Sequence, residues 1–349
     1  MSDSTPEPST SAYALDQSTP VKLGEPGELI AASPHLLGYY PANALLINII
    51  VGDLIELTMC SELPDDDLFQ SLAGQIATVV ARYPGAAVIG VVVGGGEPEG
   101  HVLPRTALVT RLRRAIAEHD TPLHMFWTTA VTAGAQWHDY DNPFHTGFLP
   151  DPKTSLLAVN AAVQGLRVFD SRDDRLALVR PDPQDTLSRR ANMIYLLADQ
   201  ARWRSARDSY RLVMNQVRRT GERSEALSDQ DVTVLAVALS DPMVRDACIA
   251  TAAGEHAQAA EQLWTELTRA CPTPQCAEPA VLLAMSAYLR GDGGLAALAL
   301  DRAETAVPGH RLAALLGAAL DKQIHPDRLR PIVDQAAETA EQLIMANFV

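Results

Sequence analysis

The sequence predicts an α/β N-terminal domain with a mixed, partly parallel sheet, followed by an all-α, tetratricopeptide-like helical domain. Three observations predict it. Short β-branched runs alternate with helical periods as far as about residue 180. No strand-like run follows "RPDPQD" at 180–185, and a 36-residue spacing recurs in the helical half. A chain of 349 residues, 47% apolar and 20% charged, can bury two cores of ordinary size.

Residues 1–20 are rich in Ser, Thr and Pro with little to bury, and read as a disordered tail. The α/β domain then runs over 21–182. A short helix is expected at 29–37, stopping near Gly38. Strands at 45–51 and 54–59 flank Gly52-Asp53, a tight-hairpin dipeptide. The 65–83 segment carries Leu68, Leu72, Ile76, Val79 and Val80 on one face, behind Asp65-Asp66-Asp67, acids that favour a helix start. A strand at 86–93, a helix at 106–119 and a strand at 123–131 predict parallel pairing through a crossover, and 166–169 reads as one more strand. In the helical domain, 183–349, helices are expected near 186–219, 229–239, 243–252, 255–270, 278–290, 293–306, 309–320 and 327–346.

Within that domain Ala260, Trp264 and Pro272 recur as Ala296, Leu300 and Pro308, each 36 residues on. This spacing predicts two tetratricopeptide-like hairpins, at about 243–272 and 278–308. Arg290-Gly291-Asp292-Gly293 is then the turn inside the second, with Gly291 left-handed and Asp292 capping the next helix. The adhesion tripeptide is a resemblance of letters alone.

The formal charge of −15, from 28 basic and 43 acidic side chains, disfavours nucleic acid and anionic membranes as partners. The four cysteines make no disulfide framework, and the apolar runs are too short to span a bilayer. A cytoplasmic protein is expected.

Candidate chemistry is sparse. A Gly-rich turn at 94–96 follows a strand, where backbone N–H groups could cradle a phosphate, but Glu97 and Glu99 oppose one and neither nucleotide-loop spacing is present. "AQWHDYDNPFHTG" gathers His138, Asp139, Asp141 and His145 among aromatic residues, as a metal or acid–base site would, or as a self-packed loop. No zinc motif is formed, by these residues or by Cys271 and Cys276. Ser171 is placed to cap a short helix and Arg172 to reach a ligand at the sheet edge. Gly-x-Ser-x-Gly does not occur. The basic feature is a stripe of Arg204, Arg207, Arg211 and Arg218 at helical spacing, beside an apolar face of Trp203, Ala206, Tyr210, Val213 and Val217. Such a stripe suits an acidic partner, the protein's own acidic domain, or plain solvent.

"PHLLGYYPANALLI" (34–47), "DSRDDRLALVRPD" (170–182), "LSDPMVRDA" (239–247), "LWTELTRACP" (263–272) and the 287–320 segment together resemble an uncharacterised actinobacterial family, carried as a domain of unknown function, over about 25–326. The resemblance implies the two-part layout and brings no activity, cofactor or catalytic residue. Its members often carry an Arg two positions before Asp-Leu-Pro, where this chain has Cys60-Ser61-Glu62-Leu63-Pro64. The reading that follows is a protein-interaction or regulatory module with an unidentified protein partner. The alternative is an enzyme or small-ligand binder in which 94–100, 138–145 and 171–173 converge at the carboxyl edge of the sheet. Catalytic residues, cofactor and oligomeric state stay unassigned.

Overall fold

The computed structural model describes residues 10–11, 25–163, 166–201, 204–322, 324 and 326–346. The expected tail lies outside them apart from Thr10 and Ser11. The chain forms two compact units, Met1–Arg175 and Leu176–Val349.

In the first unit α1 (Pro26–Leu37) begins with Pro at its first turn and stops at Gly38, which takes φ 74° and donates its N–H to Pro34 O at 2.8 Å. The buried guanidinium of Arg175 also donates to Leu37 O, placing a cation at the negative end of the helix. β1 (Thr10–Ser11), β2 (Ala44–Val51), β3 (Leu54–Glu62), β4 (Ala87–Val93), β5 (Leu123–Thr128), β6 (Gln136–Asp139) and β7 (Thr146–Phe148) form one sheet in the order β1-β3-β2-β4-β5-β6-β7. β4 and β5 are parallel, Val88 opposite Leu123 through Val93 opposite Thr128, and the remaining neighbours are antiparallel. The expected crossover between them is α3 (Thr106–Ala117). Gly52 makes the tight β2–β3 turn at φ 62°.

Alternation along the strands splits the sheet into two buried faces. Leu45, Ile47, Met59, Val88, Val92, Met125 and Trp127 pack beneath α2 (Phe69–Val80) and α3. Leu46, Cys60, Val91, Val93, Phe126 and Trp137 pack on the other side with Ile30 and Leu37 of α1. The buried pair Asn48 and Thr58 lies opposite across β2 and β3, the hydroxyl donating to Asn48 Oδ1 at 2.9 Å. Two expectations need correction. The 166–169 strand is a single bridge, Phe169 to Tyr39, and the "QWHD" and "TGF" segments read as loop are β6 and β7. After α4 (Leu156–Val163), the chain passes from one unit to the next within α5 (Arg172–Leu176).

The second unit is helical: α6 (Gln184–Ala201), α7 (Ala206–Thr220), α8 (Asp229–Leu239), α9 (Pro242–Cys248), α10 (Ala257–Ala270), α11 (Ala277–Leu289), α12 (Gly293–Ala306), α13 (Arg311–Asp321) and α14 (Pro326–Ala346). α11 is the core helix. Every residue of it but Glu278 is buried, which its near-continuous run of apolar residues requires. α9, α10, α12, α13 and α14 pack around it. The single helix expected over 186–219 is two helices. Ser205 caps the second, its hydroxyl accepting from the Asp208 N–H at 3.1 Å and donating to the Asp208 carboxylate at 2.8 Å.

Candidate functional site

Strand geometry divides the first cluster. His138 and Asp139 are consecutive on β6, so their side chains leave opposite faces of the sheet. His138 packs against Trp127, on the α2–α3 side, with ring centroids 5.6 Å apart and the planes tilted by 42°. Asp139 lies on the other face. Its Oδ1 accepts from the Asp141 N–H at 2.7 Å and its Oδ2 meets His145 Nδ1 at 2.9 Å. The His145 ring stands edge-on to Trp137, 4.9 Å between centroids, and to Phe126, at 6.3 Å. Asp141 turns back to Arg113 of α3 at 2.7 Å. Asp139 thus ties down its own turn by holding Asp141 and His145, and His138 alone lies on the opposite face. A carboxylate-oriented imidazole can act as a base. Here each oxygen of that carboxylate already has a partner in the chain. Among the described residues no group of three or more His, Cys, Asp or Glu is placed to hold a metal ion.

The register also sets the loops apart. Trp137 pairs with Thr128 and Asp139 with Phe126, so the 140–145 turn extends toward the amino end of β5. The triglycine follows the carboxyl end of β4. Two of its three N–H groups are engaged, Gly94 with Thr128 O at 2.8 Å and Gly95 with Asn43 Oδ1 at 3.0 Å. Trp127 Nε1–H donates to Gly94 O at 2.8 Å. Near this turn Asn43 and Arg105 hold left-handed backbones, at φ 48° and 60°. Ser171 caps α5 as expected, accepting from the Asp174 N–H at 3.1 Å. Arg172 meets Glu62 Oε1 at 2.9 Å. Cys60 is buried, and burial pushes its thiol pKa up, the opposite of a reactive cysteine.

In the helical unit the arginine stripe is shorter than expected. Arg204 precedes the Ser205 cap and is off the helix, and Trp203 lies outside the described residues. Arg207, Arg211 and Arg218 are on α7, within about 40° of one another at helical spacing. Arg211 and Arg218 are exposed, as is Arg219. A groove of about 460 Å³ between α7 and α14 is lined by Tyr210, Arg211, Met214, Arg218, Glu341 and Met345. A second, also about 460 Å³, runs between α7 and α8 past Arg211 and Arg219. The Tyr210 hydroxyl is pushed up to about 12, first by burial and then by Glu341 and Cys248, with Arg218 opposing. Among the described residues Arg211, Arg218 and Arg219 have no carboxylate partner, whereas Arg172, Arg190, Arg223, Arg245 and Arg290 each hold at least one.

The profile of the family described as "Domain of unknown function (DUF4192)" matches residues 26–327. The chain belongs to the DUF4192 family. No curated protein and no solved structure matches it. The DUF4192 segment contains all three of these α7 arginines and both sheet-edge clusters, while Glu341 and Met345 lie beyond it. Sequence reasoning missed Arg219 and the far walls of the two grooves. The adjacent arginines at 218 and 219 mark the first, and nothing local marks the second.

Proposed function

We propose that this DUF4192 protein is a cytoplasmic protein-interaction or regulatory module, with tetratricopeptide-like hairpins in its helical unit and its contact surface on α7. The observation that carries the reading is the set of exposed arginines, Arg211, Arg218 and Arg219, which have no carboxylate partner among the described residues and stand beside two grooves. Arginine is enriched at protein interfaces because its planar fork makes directed bonds and is weakly hydrated. Comparison of crosslinked partners, by mass spectrometry, for the full chain and its Arg211→Glu/Arg218→Glu variant tests this. Specific partners lost in the variant support the reading, and an identical partner set removes α7 as the surface.

A small-ligand site at the carboxyl edge of the sheet is the second reading. It is supported by the left-handed backbones of Asn43 and Arg105 beside the triglycine, since backbone strain gathers at functional sites. A rise in melting temperature with a nucleotide or metabolite, absent in Arg105→Ala, supports it. A panel without such a shift counts against it.

A further inference from the structure

We propose that the groove between α7 and α14 receives an acidic amphipathic helix of a partner protein, with two of its carboxylates on Arg211 and Arg218 and an apolar side chain between them. This deepens the interaction reading and rests on it. Arg211 and Arg218 are seven residues apart on α7, two turns or about 10.5 Å along one side of the helix. Met214 lies between them, and Met345 faces it from α14. The groove therefore presents cation, apolar side chain, cation in a line. A helix with acids at i and i+7 and a Leu or Phe at i+3 or i+4 presents the complement, as in helix-in-groove recognition.

Charge fixes the sign. Two guanidinium groups face one carboxylate, Glu341, in a chain whose formal charge is −15, so α7 is a local basic island on an acidic molecule. The walls fix the class. Met214, Met345 and Tyr210 offer apolar contact, whereas a nucleic-acid backbone would bring phosphates against Glu341.

The test uses the full chain and a fluorescein-labelled peptide of about eighteen residues, long enough to sustain a helix, with Glu at i and i+7 and Leu between them. Anisotropy is expected to show saturable binding that weakens about tenfold or more in Arg211→Glu/Arg218→Glu. In that variant the same peptide with Lys in place of Glu is expected to bind again. Both side chains are exposed, and circular dichroism checks that the variant is folded. Absence of binding, a scrambled peptide binding equally well, or indifference to the reversal overturns the proposal. So does a single-stranded oligonucleotide binding more tightly than the peptide, which would reassign the groove to nucleic acid. Loss of a crosslinked partner in the variant, with no binding of the acidic peptide, overturns this occupant and leaves the α7 surface standing. No loss in either assay overturns both.

Discussion

At the scale of single residues, three positions carry sharp expectations. Gly38 and Gly85 both lie in the left-handed region, at φ 74° and 76°. A Cβ on Gly85 meets nothing within 4 Å, whereas one on Gly38 strikes the Arg175 guanidinium that caps α1. Gly85→Ala is expected to cost about 1–2 kcal/mol, the left-handed penalty alone. Gly38→Ala should cost more, up to about 3 kcal/mol, because the cap must also move. Urea unfolding of the two variants measures the difference, and equal costs would mean that Arg175 yields freely. The third position is Asp229. Hydrogen bonds from Arg189 at 2.6 Å and Arg190 at 2.8 Å hold its carboxyl pKa below the ordinary value. A carboxyl with a depressed folded-state pKa stabilises fully above its unfolded value, about 3.9, and loses that contribution as the pH falls through the folded-state pKa. Asp229→Asn should therefore melt below the parent at pH 7, and the gap should close on acidification below about 4. A gap that does not change with pH would show that the variant acts through packing. The partner matters as much, because Arg190 is 7% exposed and also donates to Asp182 and to Ala270 O.

At the scale of elements, the Arg290-Gly291-Asp292 turn shows how local chemistry shapes the bundle. Gly291, at φ 87°, donates its N–H to Tyr288 O, and the Asp292 N–H returns to Ala287 O at 2.8 Å, the paired bonds of a Schellman stop. Asp292 then accepts from the Leu295 N–H at 2.9 Å and caps α12, while Arg290 clamps Glu261 of α10 with two bonds. Asp292 is only 9% exposed, so the tripeptide is not displayed as an adhesion loop would be. Asp292→Ala should cost about 0.5–2 kcal/mol and Asp292→Asn much less, because Asn keeps the accepting oxygen. Equal losses in urea unfolding would assign the effect to the carboxylate charge near Arg290. Such turns were legible because Gly and Asp act locally, as were β2 to β5, runs of six to nine residues rich in β-branched and apolar side chains. β6 and β7, of four and three residues, are too short to show a period, and their polar members share faces with Trp127 and Trp137 that only pairing reveals. The break between α6 and α7 left only Ser205 and Asp208 as a signal inside a run of helix formers. Half of the groove was legible for the same reason. Arg211 and Arg218 belong to one helix and its period, whereas Met345 and Glu341 come from more than a hundred residues away.

At the scale of the whole molecule, net charge and local patch pull against each other. A duplex carries one negative charge per about 1.7 Å of its length, and a body of formal charge −15 is repelled from it at long range. Arg211, Arg218 and Arg219 could still reach phosphates at short range once salt screens that repulsion, so the two contributions depend on ionic strength in opposite senses. Three phosphate contacts would give a slope of log K against log salt of about −2.7 at the steepest, with the repulsion making it shallower. The full chain is therefore expected to show no measurable duplex binding at physiological salt. Any weak binding at low salt should decline no more steeply than that and disappear in Arg211→Glu/Arg218→Glu. Anisotropy with a labelled duplex over a salt series is the measurement. A steeper slope would require more cations at the contact than these three arginines supply, and binding that survives the reversal would place the contact elsewhere on the chain. Either result would restore nucleic acid as a partner against the expectation from charge. The shallow slope or its absence leaves α7 as a surface suited to the few, fixed carboxylates of a folded partner, which a small basic island can engage without the density of charge that a phosphate backbone demands.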